Sequence, residues 1–319
     1  MKITSGKSFK KLTGIQKLLL KISDKKKYKK YKEYLGEYAR LVPMMNFASS
    51  GETLNRERIA EIVKIKDHLN IVHSGNAGDI IYALPTLKAI AENFATTIDL
   101  YLKLNQPMEY INNTHPLGGV MMNQKMAELL IPLIEAQPYI RHCKVLKDEI
   151  IDIDLDNVRR AGLRQDRGSI ARWYGYITGI TPNLYQPWLT IKPNSAYANT
   201  LVIARSQRYL SEFIDYTFLN NYPNKIFVGI KPEWDEIKKM LPGIQWVQVN
   251  NFLELAEIIA GCKLFIGNQS FPFSIAEGLK VPRLLETFLE VPNVVPEGPG
   301  AYDFYFQDHL ESQVKFLMQ

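Results

Sequence analysis

The chain has 319 residues, room for two domains of ordinary size, and its 46% hydrophobic and 23% charged residues are the balance of a folded globular protein. No run of about 18–20 uninterrupted apolar residues is present, and the N-terminus lacks the apolar core and small-residue cleavage site of a secretory leader, so a cytoplasmic location is expected. The net charge of +6 is unevenly placed: residues 1–40 carry twelve Lys and one Arg against Asp24, Glu33 and Glu37, a net +10, which leaves −4 for residues 41–319.

Taken in chain order, residues 9–22 space Phe9, Leu12, Ile15, Leu18, Leu19 and Ile22 among lysines, the pattern of an amphipathic helix. Residues 25–42 set Tyr28, Tyr31, Leu35, Tyr38 and Val42 at three- and four-residue steps, a second helix whose stripe packs against the body or another helix. A loop is predicted at 46–51 and a short helix at 53–65, so that residues 1–69 form a basic helical extension. Two partner classes fit its charge: an anionic membrane surface, including lipid A phosphates, with the protein peripheral at the inner face, or nucleic acid. A solvated helical face accounts for the same lysines without any partner.

From residue 70 short apolar strands alternate with helices, which predicts parallel sheets covered by helices. Strands are predicted at 70–73 and 97–102, helices at 80–94 and 123–135, a return to the sheet edge at 139–150 and a short helix at 153–161. The stretch 105–122, with Asn112, Asn113, His115 and Gly118-Gly119, reads as a polar loop of the kind that lines an acceptor site or as an ordinary surface loop. Pro182, Pro187 and Pro193 mark 181–195 as a linker, plugged against a domain face by Trp188 and Leu189. A second strand–helix series follows: strand 200–204, loop 205–211, helix through about 221, strand 225–229, helix 233–240, strand 245–249, helix 252–260, strand 263–266 and helix 270–279. The predicted organisation is therefore an extension at 1–69, an N-terminal Rossmann-like domain at 70–190 and a C-terminal one at 191–319.

Cys143 and Cys262 sit far apart in strand-edge contexts and read as buried thiols of a reducing compartment. His68, His73, His115, His142 and His309 show no metal-ligand spacing, so no metal site is expected. Asp152-Ile153-Asp154 has the D-x-D form, yet stands where helix capping explains it.

Two stretches carry the chemistry. In the first, Ile71-Val72 leads into Ser74-Gly75-Asn76-Ala77-Gly78, and Asp79 opens an apolar helix. Glycines allow close backbone approach to a ligand, a helix start offers unpaired N–H groups, and an acidic side chain there either takes a proton from a hydroxyl or simply caps the helix. There is neither a G-x-x-x-x-G-K-[ST] nor a G-x-G-x-x-G motif, so no standard nucleotide fingerprint is present. The second stretch is Gly267-Asn268-Gln269-Ser270 between a strand and a helix, which suits a phosphate through backbone N–H groups, the Ser270 hydroxyl and the helix dipole, or else is a Ser-capped helix start.

Together the two stretches resemble glycosyltransferase family 9, the ADP-heptose:lipopolysaccharide heptosyltransferases, with this chain as a divergent member. The first matches at Gly78-Asp79, Ile80-Ile81, Leu84-Pro85 and Leu87-Lys88-Ala89-Ile90; the second matches across 253–282, where a strand ending F-I-G-N precedes the family's D-S-G-P-x-H. The chain departs from that pattern at Gln269 for Asp, Phe271 for Gly and Ser274 for His, so the family's donor cannot be carried over.

The resemblance implies the GT-B architecture and a sugar transferred from a nucleotide-diphosphate donor, a co-substrate and the only cofactor-like molecule, to a glycan, lipid-linked or other hydroxyl acceptor. It implies inversion without a metal, with Asp79 as general base and Ser74, Gly75, Asn76, Gly78 and His115 on the acceptor side. Donor binding falls to Arg205, Ser206, Arg208, Glu233, Gln248, Asn250, Gly267, Asn268, Gln269, Ser270 and Ser274; the two arginines either replace the lost cation or are ordinary surface arginines after a strand, and Glu233 either contacts the ribose or caps helix 233–240. Two rivals stay open: an enzyme of the same fold that glycosylates DNA or another polymer, and a non-catalytic GT-B-like binding protein.

Overall fold

The computed structural model describes residues 11–108 and 118–319. Its larger part is the expected GT-B-like pair of parallel sheets flanked by helices, preceded by a helical extension.

The extension starts with α1 (Gly14–Ser23), opened by a capping box in which Thr13 and Gln16 exchange side-chain-to-backbone bonds. Asp24 then caps α2 (Lys25–Ser49) by accepting the Lys27 N–H. The expected loop at 46–51 is mostly helix: α2 continues to Ser49 with its last turns held by the buried Phe47. These two helices and the short α6 (Asn157–Arg160) form one compact unit, within which Arg160 pairs with Glu52. All other elements belong to a second unit.

In that second unit α3 (Arg56–Lys64) precedes the first sheet, made of β1 (His68–His73), β2 (Thr97–Leu102), β3 (Ile140–Val145) and β4 (Ile153–Asp154). Its order is β3-β2-β1-β4, all parallel, with α4 (Ala77–Phe94) and α5 (Gln124–Glu135) as crossovers. Residues 153–154, expected in a short helix, instead pair with Ile71 and Val72, because the alternation of IDID suits an edge strand beside β1. Asp152 caps no helix; it accepts the Asn70 N–H at 2.9 Å and pairs with Lys66. α7 (Ile170–Thr178) follows, an amphipathic helix additional to those expected.

The second sheet holds β5 (Leu201–Ala204), β6 (Lys225–Val228), β7 (Gln245–Val247), β8 (Leu264–Gly267), β9 (Arg283–Glu286) and β10 (Ala301–Phe304). Its order is β10-β9-β8-β5-β6-β7, again all parallel. Between strands run α8 (Lys231–Met240), α9 (Phe252–Gly261) and α10 (Phe271–Leu279), and α11 (Gln307–Leu317) closes the chain. The helix expected to reach residue 221 is a single 3-10 turn at 217–221, since Arg205 and Glu286 bind the backbone of the segment before it. Leu201, Ile203, Phe227, Ile266, Leu284 and Leu310 make the core of this half.

Each sheet thus places its first strand inside, with two strands wound to one side and the rest to the other. The order reverses between β1 and β4 in one sheet and between β5 and β8 in the other. In open parallel sheets that reversal opens a crevice at the carboxyl ends of the strands.

The irregular segment 179–194 joins the halves and is anchored where it meets α10. The Trp188 and Leu189 N–H groups both donate to the Gly278 carbonyl, at 3.0 and 3.1 Å, and both side chains are buried. Beneath them lies a buried ionic cluster. Arg283 pairs with Glu277 and donates to the Val281, Glu297 and Pro299 carbonyls, so each of its three nitrogens has a partner. Lys280 pairs with the same Glu277 at 2.6 Å and lies over the Trp188 ring at 4.4 Å; burial pulls its pKa down to about 8. Both cysteines are buried free thiols, which burial pushes to higher pKa.

One glycine shows how closely these parts fit. A Cβ on Gly261, at the end of α9, would stand 2.1 Å from the Asn194 carbonyl oxygen, where backbone rather than a flexible side chain must yield. We expect Gly261→Ala to destabilise the fold by about 1–3 kcal/mol, read as a lower urea midpoint at unchanged m-value.

Candidate functional site

The first turn is shaped by two carboxylates and a histidine. After β1, the Ser74 N–H donates to Asp156 Oδ1 at 2.9 Å, the Gly75 N–H to His73 Nδ1 at 2.8 Å and the Asn76 N–H to Asp79 Oδ2 at 3.0 Å. Because Nδ1 of the buried His73 accepts, its proton sits on Nε2, which faces the Tyr174 hydroxyl at 2.8 Å; that hydroxyl in turn donates to the Asp79 carbonyl at 3.1 Å. A continuous run of hydrogen bonds therefore links the strand end, α7 and the first turn of α4.

Gly75 is required here for a reason the sequence did not show. A Cβ at this position would lie 2.6 Å from the His73 ring and 2.8–2.9 Å from the Asp79 side chain. The glycine leaves room for Asp79 to fold back over the turn, and Asp79 accordingly performs the capping half of its two expected roles. Gly78 meets nothing closer than the Phe271 Cα, 3.9 Å from where its Cβ would be, so the starts of α4 and α10 stand side by side. His115 lies outside the described residues.

The second turn is built on Asn268, which is completely buried and spans the reversal point of its sheet. Its Oδ1 accepts the Ser206 N–H at 2.9 Å and its Nδ2 donates to the Ser206 carbonyl at 2.6 Å, so one amide ties the ends of β5 and β8. Gly267 is needed for the close approach, since a Cβ would fall 2.8 Å from the Ala204 carbonyl oxygen. Gln269 donates through Nε2 to the Val291 carbonyl and to Asn293 Oδ1, while its buried Oε1 has no hydrogen-bond partner. Ser270 donates its hydroxyl to the Asn268 carbonyl at 3.3 Å and makes no side-chain cap on α10. Ser274 is fully buried, its hydroxyl bound to the Phe271 carbonyl at 2.6 Å, so it points into the fold.

The two arginines of the β5 loop divide. Arg205 forms a two-bond pair with Glu286, at 2.7 and 2.8 Å, donates to the Ser211 carbonyl and lies over the Tyr216 ring. With both carboxylate and guanidinium buried, that pair belongs to the loop's architecture. Arg208 is half-exposed, lies over the Tyr209 ring at 5.0 Å, and its N–H donates to Ser206 Oγ.

Glu233 closes the cap of α8 by accepting the Ile230 N–H. Burial pushes its pKa up to about 7, against the opposing charge of Arg208. Gly229, at φ +150°, makes room for the returning Oε2, which would lie 2.9 Å from an added Cβ. Gln248 and Asn250 are exposed after β7, and Asn250 donates from backbone and side chain to Glu254.

Ser206, Arg208, Glu233, Gln248 and the 267–270 turn all follow strands at the carboxyl edge of the second sheet, and the first turn of α4, which carries Asp79, lies beside the start of α10. Ser274 and the Arg205 guanidinium face the interior. Three residues of these turns carry no signal in the sequence: Asp156 follows a two-residue edge strand inside a helix-like stretch, Tyr174 stands on α7, and His73 is one histidine in an apolar strand. Among the described residues no group of three or more His, Cys, Asp or Glu side chains is arranged to hold a metal ion.

No family model matches the chain, and no curated protein matches its sequence. Solved structures do. A glycosyl transferase family 9 protein from Veillonella parvula superposes with a TM-score of 0.53 at 11% identity, covering 79% of this chain and 97% of its own. The E. coli heptosyltransferase WaaC with ADP-2-deoxy-2-fluoro heptose gives 0.51 at 9% identity, over 78% and 99%. At such identities the likeness establishes a shared fold.

The elevated pKa of Glu233 has a direct consequence. Between the ordinary carboxylate value of 4.5 and about 7 the folded state holds a proton that the unfolded chain has released, so stability falls as pH rises through that window. We expect Glu233→Gln, which keeps the acceptor for Ile230, to raise the melting temperature at pH 8 and leave it unchanged at pH 4. The gain is at most ~3 kcal/mol and is reduced by the group's partial exposure.

Proposed function

We propose that the protein transfers a sugar from a nucleotide-diphosphate donor to a hydroxyl acceptor on a glycan or lipid-linked molecule. The observation that carries this reading is the side-by-side start of α4 and α10, each following a strand at the reversal point of its own sheet. That arrangement sets a carboxylate-bearing turn beside one suited to a diphosphate, and the two structural likenesses share the architecture.

In this proposal the donor lies along the carboxyl edge of the second sheet. The 267–270 turn and Arg208 face the diphosphate, with Glu233, Gln248 and Asn250 toward the nucleoside. Arg205 contributes by holding the loop that presents Ser206 and Arg208, a role its buried pair with Glu286 favours over direct phosphate contact. The acceptor oxygen attacks the anomeric carbon while Asp79 takes its proton. The bond from that carbon to the diphosphate oxygen breaks, and the nucleoside diphosphate leaves with the bonding pair. A single displacement inverts the anomeric centre. Arg208 and the amide dipoles at the start of α10 stabilise the charge on the leaving group.

The rival with an observation behind it is a non-catalytic protein of the same fold. The Asp79 carboxylate already serves the Asn76 N–H, and Ser274, where family 9 places a phosphate-facing His, is turned inward. One pair of measurements separates the two. In a thermal-shift screen of nucleotide sugars, a true donor at ~100 times its dissociation constant adds ~2.7 kcal/mol; no shift with any of them rules out the donor site. With the donor so identified, Asp79→Asn is expected to keep the shift and lower transfer by ~10²–10⁴-fold. Retained transfer in that variant removes Asp79 as the base, and binding without transfer in the wild type decides for the binding protein.

A further inference from the structure

The helical extension presents a surface that its charge alone does not explain. α1 carries five aliphatic side chains, and four of them face outward: Ile15, Leu18, Leu19 and Ile22 are 75%, 58%, 61% and 73% exposed. Their spacing of three, one and three residues makes one continuous stripe along the helix. Contact with α2 uses the poorer face. There Leu20 and Lys17 are half-buried, and the Leu12 N–H donates to the Tyr31 hydroxyl at 3.0 Å. α1 buries none of its residues fully, although turning the stripe inward would have covered four.

Charge surrounds this stripe. Residues 11–40 hold nine Lys and Arg40 against Asp24, Glu33 and Glu37, a net +7, and Lys21 with the run Lys25–Lys27 is exposed. An outward aliphatic stripe bordered by lysines fits one environment, the headgroup boundary of an anionic bilayer, where apolar side chains enter the acyl region and lysines reach the lipid phosphates. Nucleic acid answers the lysines but gives four aliphatic side chains nothing to contact, and α1 offers no aromatic ring for a base to stack on. A second copy answers the aliphatic stripe, but only by bringing two such basic segments together. At ten residues α1 is about 15 Å long, far short of a bilayer. Among the described residues no helix is long and apolar enough to cross a membrane.

We propose that α1 is an interfacial helix that docks the protein on an anionic lipid surface through Ile15, Leu18, Leu19 and Ile22. The proposal is independent of the sugar-transfer reading, and either can fail alone. The test is co-flotation of the full chain with phosphatidylcholine vesicles with and without phosphatidylglycerol, beside gel filtration and titration with duplex DNA and RNA. The expected result is binding that requires the anionic lipid, persists in part at high salt, and weakens ~10-fold or more in the double variant Leu18→Glu, Ile22→Glu. Both positions are exposed, so that variant should keep the wild-type melting temperature. A vesicle control that does not need its fold is a peptide of α1 sequence competing for the same lipid. Absence of binding to the anionic vesicles overturns the proposal. So does binding that the double variant leaves intact, a dimer that the variant dissolves, or nucleic-acid binding tighter than vesicle binding.

Discussion

Both halves of the molecule depend on one constraint. Where the strand order of a parallel sheet reverses, the two central strands diverge beyond their last ladder bond and leave backbone groups facing a crevice. A single buried or half-buried side chain closes the gap in each sheet. Asp156 reaches from beyond β4 to the Ser74 N–H, and Asn268 reaches from beyond β8 to both backbone groups of Ser206. The chemistry differs with the need. A carboxylate satisfies a donor, whereas an amide satisfies a donor and an acceptor together and holds two strand ends at fixed separation. Everything proposed for the site is arranged around these two bridges.

The surrounding loops are held by charges that solvent hardly reaches. Arg205 and Glu286 tie the loop after β5 to the end of β9, and Tyr216 adds a hydroxyl bond to the same carboxylate. Glu277, Lys280 and Arg283 do the same for the segment 297–299 before β10. Such pairs are strongly destabilising to break from one side, because the remaining charge is left buried and alone. They therefore fix loop geometry more firmly than apolar contacts of similar size, which tolerate repacking.

The architecture was legible because periodicity reports burial. The runs around Ile71, Thr97, Leu201 and Leu264 are strands buried on both faces, and the turns at Gly75 and Gly267 mark where they end. What could not be read was the destination of polar side chains. Arg205 and Arg208 look alike in IARSQRY, yet one is buried against a glutamate 81 residues away and the other remains at the surface. Asp156 is indistinguishable from a helix cap until β4 is placed beside β1. The outward face of α1 was likewise invisible, because an amphipathic pattern reveals a stripe but not whether the protein covers it.

Asn293 lends a different meaning to the separateness of the two sheets. Its side chain accepts from Gln269 and donates to the Gln165 carbonyl, while its own carbonyl receives the Ile170 N–H at the start of α7. α7 is the helix whose Tyr174 touches both His73 and Asp79. The turn after β8 and the turn after β1 are thus joined through one run of contacts that passes along α7. Gln269 and the asparagine 24 residues downstream are therefore the joint through which the two turns meet.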